Sequence, residues 1–215
     1  MNMEKLNKQE TASFDVDAQY CFTPVCPDEL PVPEGDQIVD ELNLQATKAR
    51  LRVGSKDAHS PMAIWVADEN NAQFSPVEGK DVDIRWNSHA VPGTKGFELI
   101  EGLPKPSDYD FFVWKGIELD MHPYGACYHD LGNALSTGVI EFLKQQGTRN
   151  VIVGGLATEY CVKTTAFQLK DAGFTVLVNL AACRGIDADN VIKAVEEMAD
   201  AGIQIVNSAA DIEME

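Results

Sequence analysis

The sequence predicts an α/β fold on a mostly parallel sheet, and three observations lead there. The C-terminal half alternates short apolar runs with amphipathic stretches, as βαβ units with right-handed crossovers do. Chemistry-bearing side chains, namely Asp17, Asp57, His59, Lys115 and Cys161, fall where predicted strands end, the edge at which open α/β sheets bind ligands. No internal repeat or linker divides the 215 residues. At roughly 100–200 residues per domain, one domain over 1–215 is expected.

The elements follow in order. Residues 1–10 are polar and read as a flexible lead-in. An acid-interrupted strand spans 12–17, and prolines and cysteines make 23–33 a loop. Ile38, Leu42 and Ala46, four apart, predict a helix over 35–50, followed by a strand over 51–56. Pro61, Pro76, Pro92, Pro104 and Pro106 leave 60–108 without a period, and an irregular run of that length is usually functional. The aromatic run 109–114 is β-prone and ends at Lys115. Leu131, Leu135, Val139 and Leu143 predict a helix stopped by Gly147, before a buried-type strand over 150–154. A helix over 158–172 closed by Gly173, a strand over 174–178, a helix over 187–201 and a strand over 203–206 complete the pattern.

Composition narrows the function. Apolar residues make 45% and charged residues 24% of the chain, an ordinary globular balance. A net charge of −17, spread along the chain, repels phosphate backbones and anionic lipids, so neither nucleic acid nor a membrane is an expected partner. No apolar run approaches the roughly 18 residues of a membrane span, and the N-terminus lacks a signal peptide's apolar centre. A cytoplasmic protein is expected. Cys21, Cys26, Cys127, Cys161 and Cys183 are odd in number and contain no Cys-x-x-Cys pair, which disfavours a disulfide framework, a zinc ribbon or a thioredoxin-type site.

The strand ends carry the chemistry. Cys161 falls in the first turn of a predicted helix, where the dipole and free N–H groups lower a thiol pKa, and a neighbouring lysine would lower it further. An adjacent carboxylate could take the thiol proton as general base. Asp57 and His59 share one face of an extended segment, half of a possible metal site, with His89, His122 and His129 as possible partners. Mixed oxygen and nitrogen ligands would suit Zn²⁺, Fe²⁺ or Mn²⁺. Gly154-Gly155 follows a strand, but no Gly-x-Gly-x-x-Gly or phosphate loop opens a helix, so a nucleotide cofactor is disfavoured.

From about Phe14 to Ser208 the chain resembles the isochorismatase-like cysteine hydrolases, and most closely the nicotinamidases. The carriers are Val16-Asp17-Ala18-Gln19-Tyr20-Cys21-Phe22, Lys56-Asp57-Ala58-His59, Trp86-Asn87-Ser88-His89-Ala90-Val91-Pro92-Gly93-Thr94, Trp114-Lys115-Gly116 and Gly155-Leu156-Ala157-Thr158-Glu159-Tyr160-Cys161-Val162-Lys163-Thr164-Thr165. The resemblance implies a three-layer α/β/α domain whose six-stranded, mainly parallel sheet runs 3-2-1-4-5-6. It implies a catalytic triad of Asp17, Lys115 and Cys161, and an oxyanion hole from the N–H groups of Ala157 and Cys161 after a cis peptide. One divalent ion (zinc, iron or manganese) on Asp57, His59 and His89 is implied, with Phe22, Trp86 and Tyr124 around the pyridine ring of nicotinamide. The implied reaction is hydrolysis of nicotinamide to nicotinate and ammonia in NAD salvage. Alternatives are a metal-free hydrolase of N-carbamoyl or ureido amides and a non-catalytic binding protein on the same fold. Besides the small-molecule substrate, the one further partner the reading allows is another copy of the chain, in a homo-oligomer. Two departures stand out. The family often has a further histidine after the Asp-x-His pair, but 62–65 reads Met-Ala-Ile-Trp, and Cys127-Tyr128 replaces an aromatic pair.

Overall fold

Six strands and four α-helices, alternating along the chain except between the second and third strands, make up the computed structural model, which describes residues 5–215. They are β1 (Thr11–Val16), α1 (Val39–Thr47), β2 (Leu51–Asp57), β3 (Phe111–Lys115), α2 (Val139–Gln145), β4 (Asn150–Leu156), α3 (Lys163–Asp171), β5 (Thr175–Arg184), α4 (Ala188–Asp200) and β6 (Gln204–Val206). The strands form one sheet in the order β3-β2-β1-β4-β5-β6, as the resemblance implied, and every neighbouring pair is parallel.

Alternation along the strands builds the layers. Ala12, Phe14 and Val16 of β1 and Val151 and Val153 of β4 pack with Leu143 of α2, Leu169 of α3 and Met198 of α4. On the opposite face, Ile152 and Leu177 meet Leu6, Val206 and Ile212, while Ile38 and Leu42 join the cluster around Trp65 and Trp86. Gly155 is the tightest point of the sheet. Its φ is +139°, and a Cβ there would stand 1.9 Å from the carbonyl oxygen of Val16, so only glycine lets β4 pass β1 at this edge.

The structure corrects several sequence expectations. Of the expected lead-in, residues 1–4 lie outside the described residues, whereas Leu6 is buried and bridges to Met214, because a terminal apolar residue covers Ile152 and Leu177. The helix predicted through Leu131 and Leu135 begins only at Val139. The Asp130 carboxylate accepts the N–H groups of Ala134 and Leu135, folding 130–135 into a loop, and Gly138 at φ +87° stands before the first helical residue. Residues 158–172 start as a π turn, Thr158–Val162, before α3 proper. β5 runs on to Arg184, pairing Cys183 with Gly155 and Arg184 with Leu156. The long stretch before β3 is irregular, as expected. Isolated bridges such as Val66 to Trp86 and Gln19 to Leu99 hold it across the C-terminal edge of the sheet. No helix among the described residues is long and apolar enough to cross a membrane.

Candidate active site

Three neighbouring strands deliver the charged centre. β2 and β3 pair in a register that sets Asp57 beside Lys115, and Asp17 follows the end of β1, the next strand in the sheet. Asp17 adopts φ +46°, a left-handed conformation that aspartate tolerates better than most residues, and it turns the chain away from the sheet. Ser55 of β2 donates its hydroxyl to Asp17 Oδ1 at 2.7 Å, and Gln19 bridges to the backbone of Asp57 through both ends of its amide.

Lys115 is fully buried, so its ammonium survives only because it is paired. Its Nζ lies 3.0 Å from Asp17 Oδ2, donates to Asp57 Oδ1, donates to the Pro123 carbonyl at 3.2 Å and reaches Cys161 Sγ at 3.9 Å. Ligand atoms of Asp17, Asp57 and Cys161 lie within 4.8 Å of one another. The three residues implied as a triad are therefore brought together around one cation.

Burial and charge divide the two carboxylates. Burial lifts the Asp17 carboxyl to about 6 in spite of Lys115 beside it, and the Asp57 charge pushes the same way. Burial acts upward on Asp57 too, but Lys115 and His59 outweigh it and hold that carboxyl well below its ordinary value. The Cys161 thiol is pushed well above its ordinary value, first by burial and then by the two aspartates, with Lys115 opposing. This runs against the expectation of a lowered thiol, because loss of water outweighs the neighbouring Lys115 here. The resting arrangement is a protonated thiol beside a carboxylate that can take its proton.

Asp57 faces two ways. Its Oδ1 holds Lys115, while Oδ2 lies 3.4 Å from His59 Nε2 and 3.9 Å from His89 Nε2. His59 Nδ1 sits 2.9 Å from the Gly116 carbonyl and His89 Nδ1 sits 2.7 Å from the Asn87 carbonyl. Those carbonyls fix each Nδ1 as the donor and turn a bare Nε2 toward Asp57, as the carbonyl partners of metal-ligating histidines do. Burial, with the neighbouring His59, drives the His89 pKa down to about 3, so its ring is neutral and its lone pair is free. His59 Nε2 is buried without a hydrogen-bond partner. One carboxylate and two bare imidazole nitrogens therefore fit a divalent cation. Gly116, at φ +73°, makes room, since a Cβ there would stand 2.3 Å from the His59 ring. His122 joins the group, its ring nitrogen within 4.8 Å of those of His59 and His89, whereas His129 stays outside it.

A narrow cleft opens between the cation-binding group and the thiol, lined by Phe22, Trp86, Tyr124, Ala157, Tyr160 and Cys161 among others. Trp86 Nε1 donates to the Tyr124 hydroxyl at 3.2 Å, and that hydroxyl donates to Asp83 at 2.8 Å, which fixes both rings. The Leu156–Ala157 peptide is cis, as the resemblance implied. Sequence reasoning missed Tyr160 and Ile186 as cleft residues. Tyr160 adjoins the thiol in sequence and crosses Trp86 edge-on at 5.0 Å. Ile186 would have followed from the strand-end rule had β5 been read to its true end at Arg184.

Comparison with known proteins extends this picture. The family model for the isochorismatase domain matches residues 12–210. The nicotinamidase of Acinetobacter baylyi is 31% identical over 198 residues, covering 90% of each chain. A solved nicotinamidase and pyrazinamidase from Acinetobacter baumanii superposes with a TM-score of 0.85 at 28% identity, covering 94% of this chain and 98% of its own. The pyrazinamidase of Pyrococcus horikoshii, solved in complex with zinc, gives a TM-score of 0.73 at 30% identity over 92% of this chain and 98% of its own.

Proposed function

The chain belongs to the isochorismatase family, and from that premise we propose that it hydrolyses nicotinamide to nicotinate and ammonia through a thioester on Cys161. The observation that carries this reading is the buried Lys115, which ties Asp17, Asp57 and the Cys161 thiol into one cluster beside an aromatic cleft.

Asp17 takes the thiol proton as the sulfur attacks the carboxamide carbon, so charge moves from one side of Lys115 to the other without leaving its reach. The N–H groups of Ala157 and Cys161 hold the developing oxyanion, each donor contributing about 3–4 kcal/mol by analogy with comparable sites. Asp17 then hands the proton to the departing ammonia. A water activated by Asp17 cleaves the thioester, releasing nicotinate and restoring the thiol. Phe22 and Trp86 sandwich the pyridine ring, and Tyr124 closes its edge. Asp57, His59 and His89 would hold one zinc, iron or manganese ion, which when bound supplies a Lewis-acid contact for the pyridine nitrogen. In the cell this activity would serve NAD salvage in the cytoplasm.

The metal-free and non-catalytic alternatives find little support, because the buried histidines have no other evident use and Asp17, Lys115 and Cys161 are all intact. Ammonia release from nicotinamide tests the reading, measured before and after chelation. Release should collapse to background on stripping and return with Zn²⁺, Fe²⁺ or Mn²⁺. Failure to release ammonia under any of the three metals would refute it.

A further inference from the structure

We propose that His122 is a fourth protein ligand of the metal site, supplied by the loop that follows Lys115. The inference rests on the reading of Asp57, His59 and His89 as metal ligands and adds a residue to it.

His122 is 4% exposed, and neither Nδ1 nor Nε2 has a hydrogen-bond partner. A buried imidazole normally satisfies at least one nitrogen, since leaving a polar group bare in the interior is costly. His59 and His89 show the ordinary solution, each with Nδ1 on a backbone carbonyl. The His122 ring has none. It stacks on His59 at 5.1 Å, meets Trp65 edge-on at 4.3 Å and Tyr124 edge-on at 5.1 Å, so its walls offer aromatic faces rather than acceptors. What it does face is the pair of imidazoles already aimed at Asp57, with one nitrogen from each of the three rings within 4.8 Å of the others.

The loop is held in place to present it. The His122 N–H donates to the Asp81 carbonyl at 2.8 Å, and Met121 bridges to Asp81. The next residue, Pro123, gives its carbonyl to Lys115, and Tyr124 lines the cleft. A ligand at position 122 therefore ties the ion to the same short loop that touches the catalytic lysine and the substrate cleft. It would also supply the histidine that 62–65 lacks, from a different part of the chain.

X-ray absorption on the zinc-loaded wild-type protein tests this directly, by counting imidazole ligands. Three imidazoles with one carboxylate is the expected result. Two imidazoles would overturn the role of His122 while leaving the other ligands standing, and a wild-type protein that binds no zinc would overturn both readings. His122→Ala should lose one imidazole from the count and, in competition with a chelator, bind zinc at least about 100-fold more weakly, at or beyond the upper end of the roughly 10–100-fold loss typical when a residue that only hydrogen-bonds a ligand is removed. His129→Ala, outside the group, should leave count and affinity unchanged. Unchanged affinity in His122→Ala would again overturn the proposal.

Discussion

The two halves of the site are built by different means. Asp17, Asp57 and Lys115 stand at the ends of adjacent parallel strands, so the register that pairs Asp57 with Lys115 also sets their spacing. His89 and His122, with Trp86 and Tyr124, come from irregular segments held by isolated bridges and aromatic contacts. The charged half is satisfied internally, each partner of Lys115 within reach. The histidine half leaves ring nitrogens bare. The charged cluster is thus preorganised by the sheet, while the histidine half presents buried ring nitrogens that a bound ion would satisfy.

The largest effect that separates the halves is expected from Cys161→Ala. Removing the sulfur should bring ammonia release to background, because no other group near the cleft can form the covalent intermediate. Metal content, measured by atomic absorption on the purified variant, should match the wild type, since Cys161 lies on the side of Asp57 away from the histidines. Residual turnover near wild type would break the covalent reading. Loss of metal would show that the two halves are one unit.

How much of this was legible in the sequence follows the same division. Asp17, Asp57 and Lys115 could be read because strands announce themselves by apolar runs, and a strand end is a definite place. Cys161 could be read because it follows such a run within a few residues. The helix expected through Leu131 and Leu135 failed for a local reason. Leucines four apart mimic a helical stripe, yet Asp130 captures the backbone N–H groups that the helix would have used. His122 was one of three equivalent candidate partners in the sequence. Nothing in a loop's composition says that Asp81, about forty residues earlier, will fix it beside His59. The aromatic cleft was legible through the family resemblance, and Ile186 was lost with the misplaced end of β5.

A middle-sized effect sharpens the electrostatic side of the comparison. Asp17 must be ionised to accept the thiol proton, and burial has raised its carboxyl to about 6. The kcat/KM profile should therefore be flat above about pH 7 and fall roughly tenfold per pH unit below 6. Stability runs the other way for this group. A carboxyl whose folded pKa is raised contributes stability that is fully present below the ordinary carboxylate range and is lost as pH rises through 6. The sheet edge thus keeps an ionised base at neutral pH at some cost to the fold. An acid limb near 4, in the ordinary carboxylate range, would show that Asp17 is not the group whose ionisation limits the reaction.

The smallest effect probes the loop-built half without touching its ligands. Tyr124→Phe keeps the ring in the cleft and removes only the hydroxyl that accepts from Trp86 and donates to Asp83. The lost hydrogen bonds should cost about 1 kcal/mol of stability, read as a shift in the denaturant midpoint with an unchanged slope. Trp86 then loses the contact that orients it over the substrate, so KM for nicotinamide should rise a few-fold while kcat stays close to wild type. That split matters more than its size. A residue that only positions the ring weakens ground-state and transition-state binding alike, which raises KM alone, whereas a fall in kcat would mean that the loop also sets the approach of the carboxamide to Cys161. In that event the strand-built and loop-built halves would share the chemical step, and the division drawn from their construction would not extend to their function.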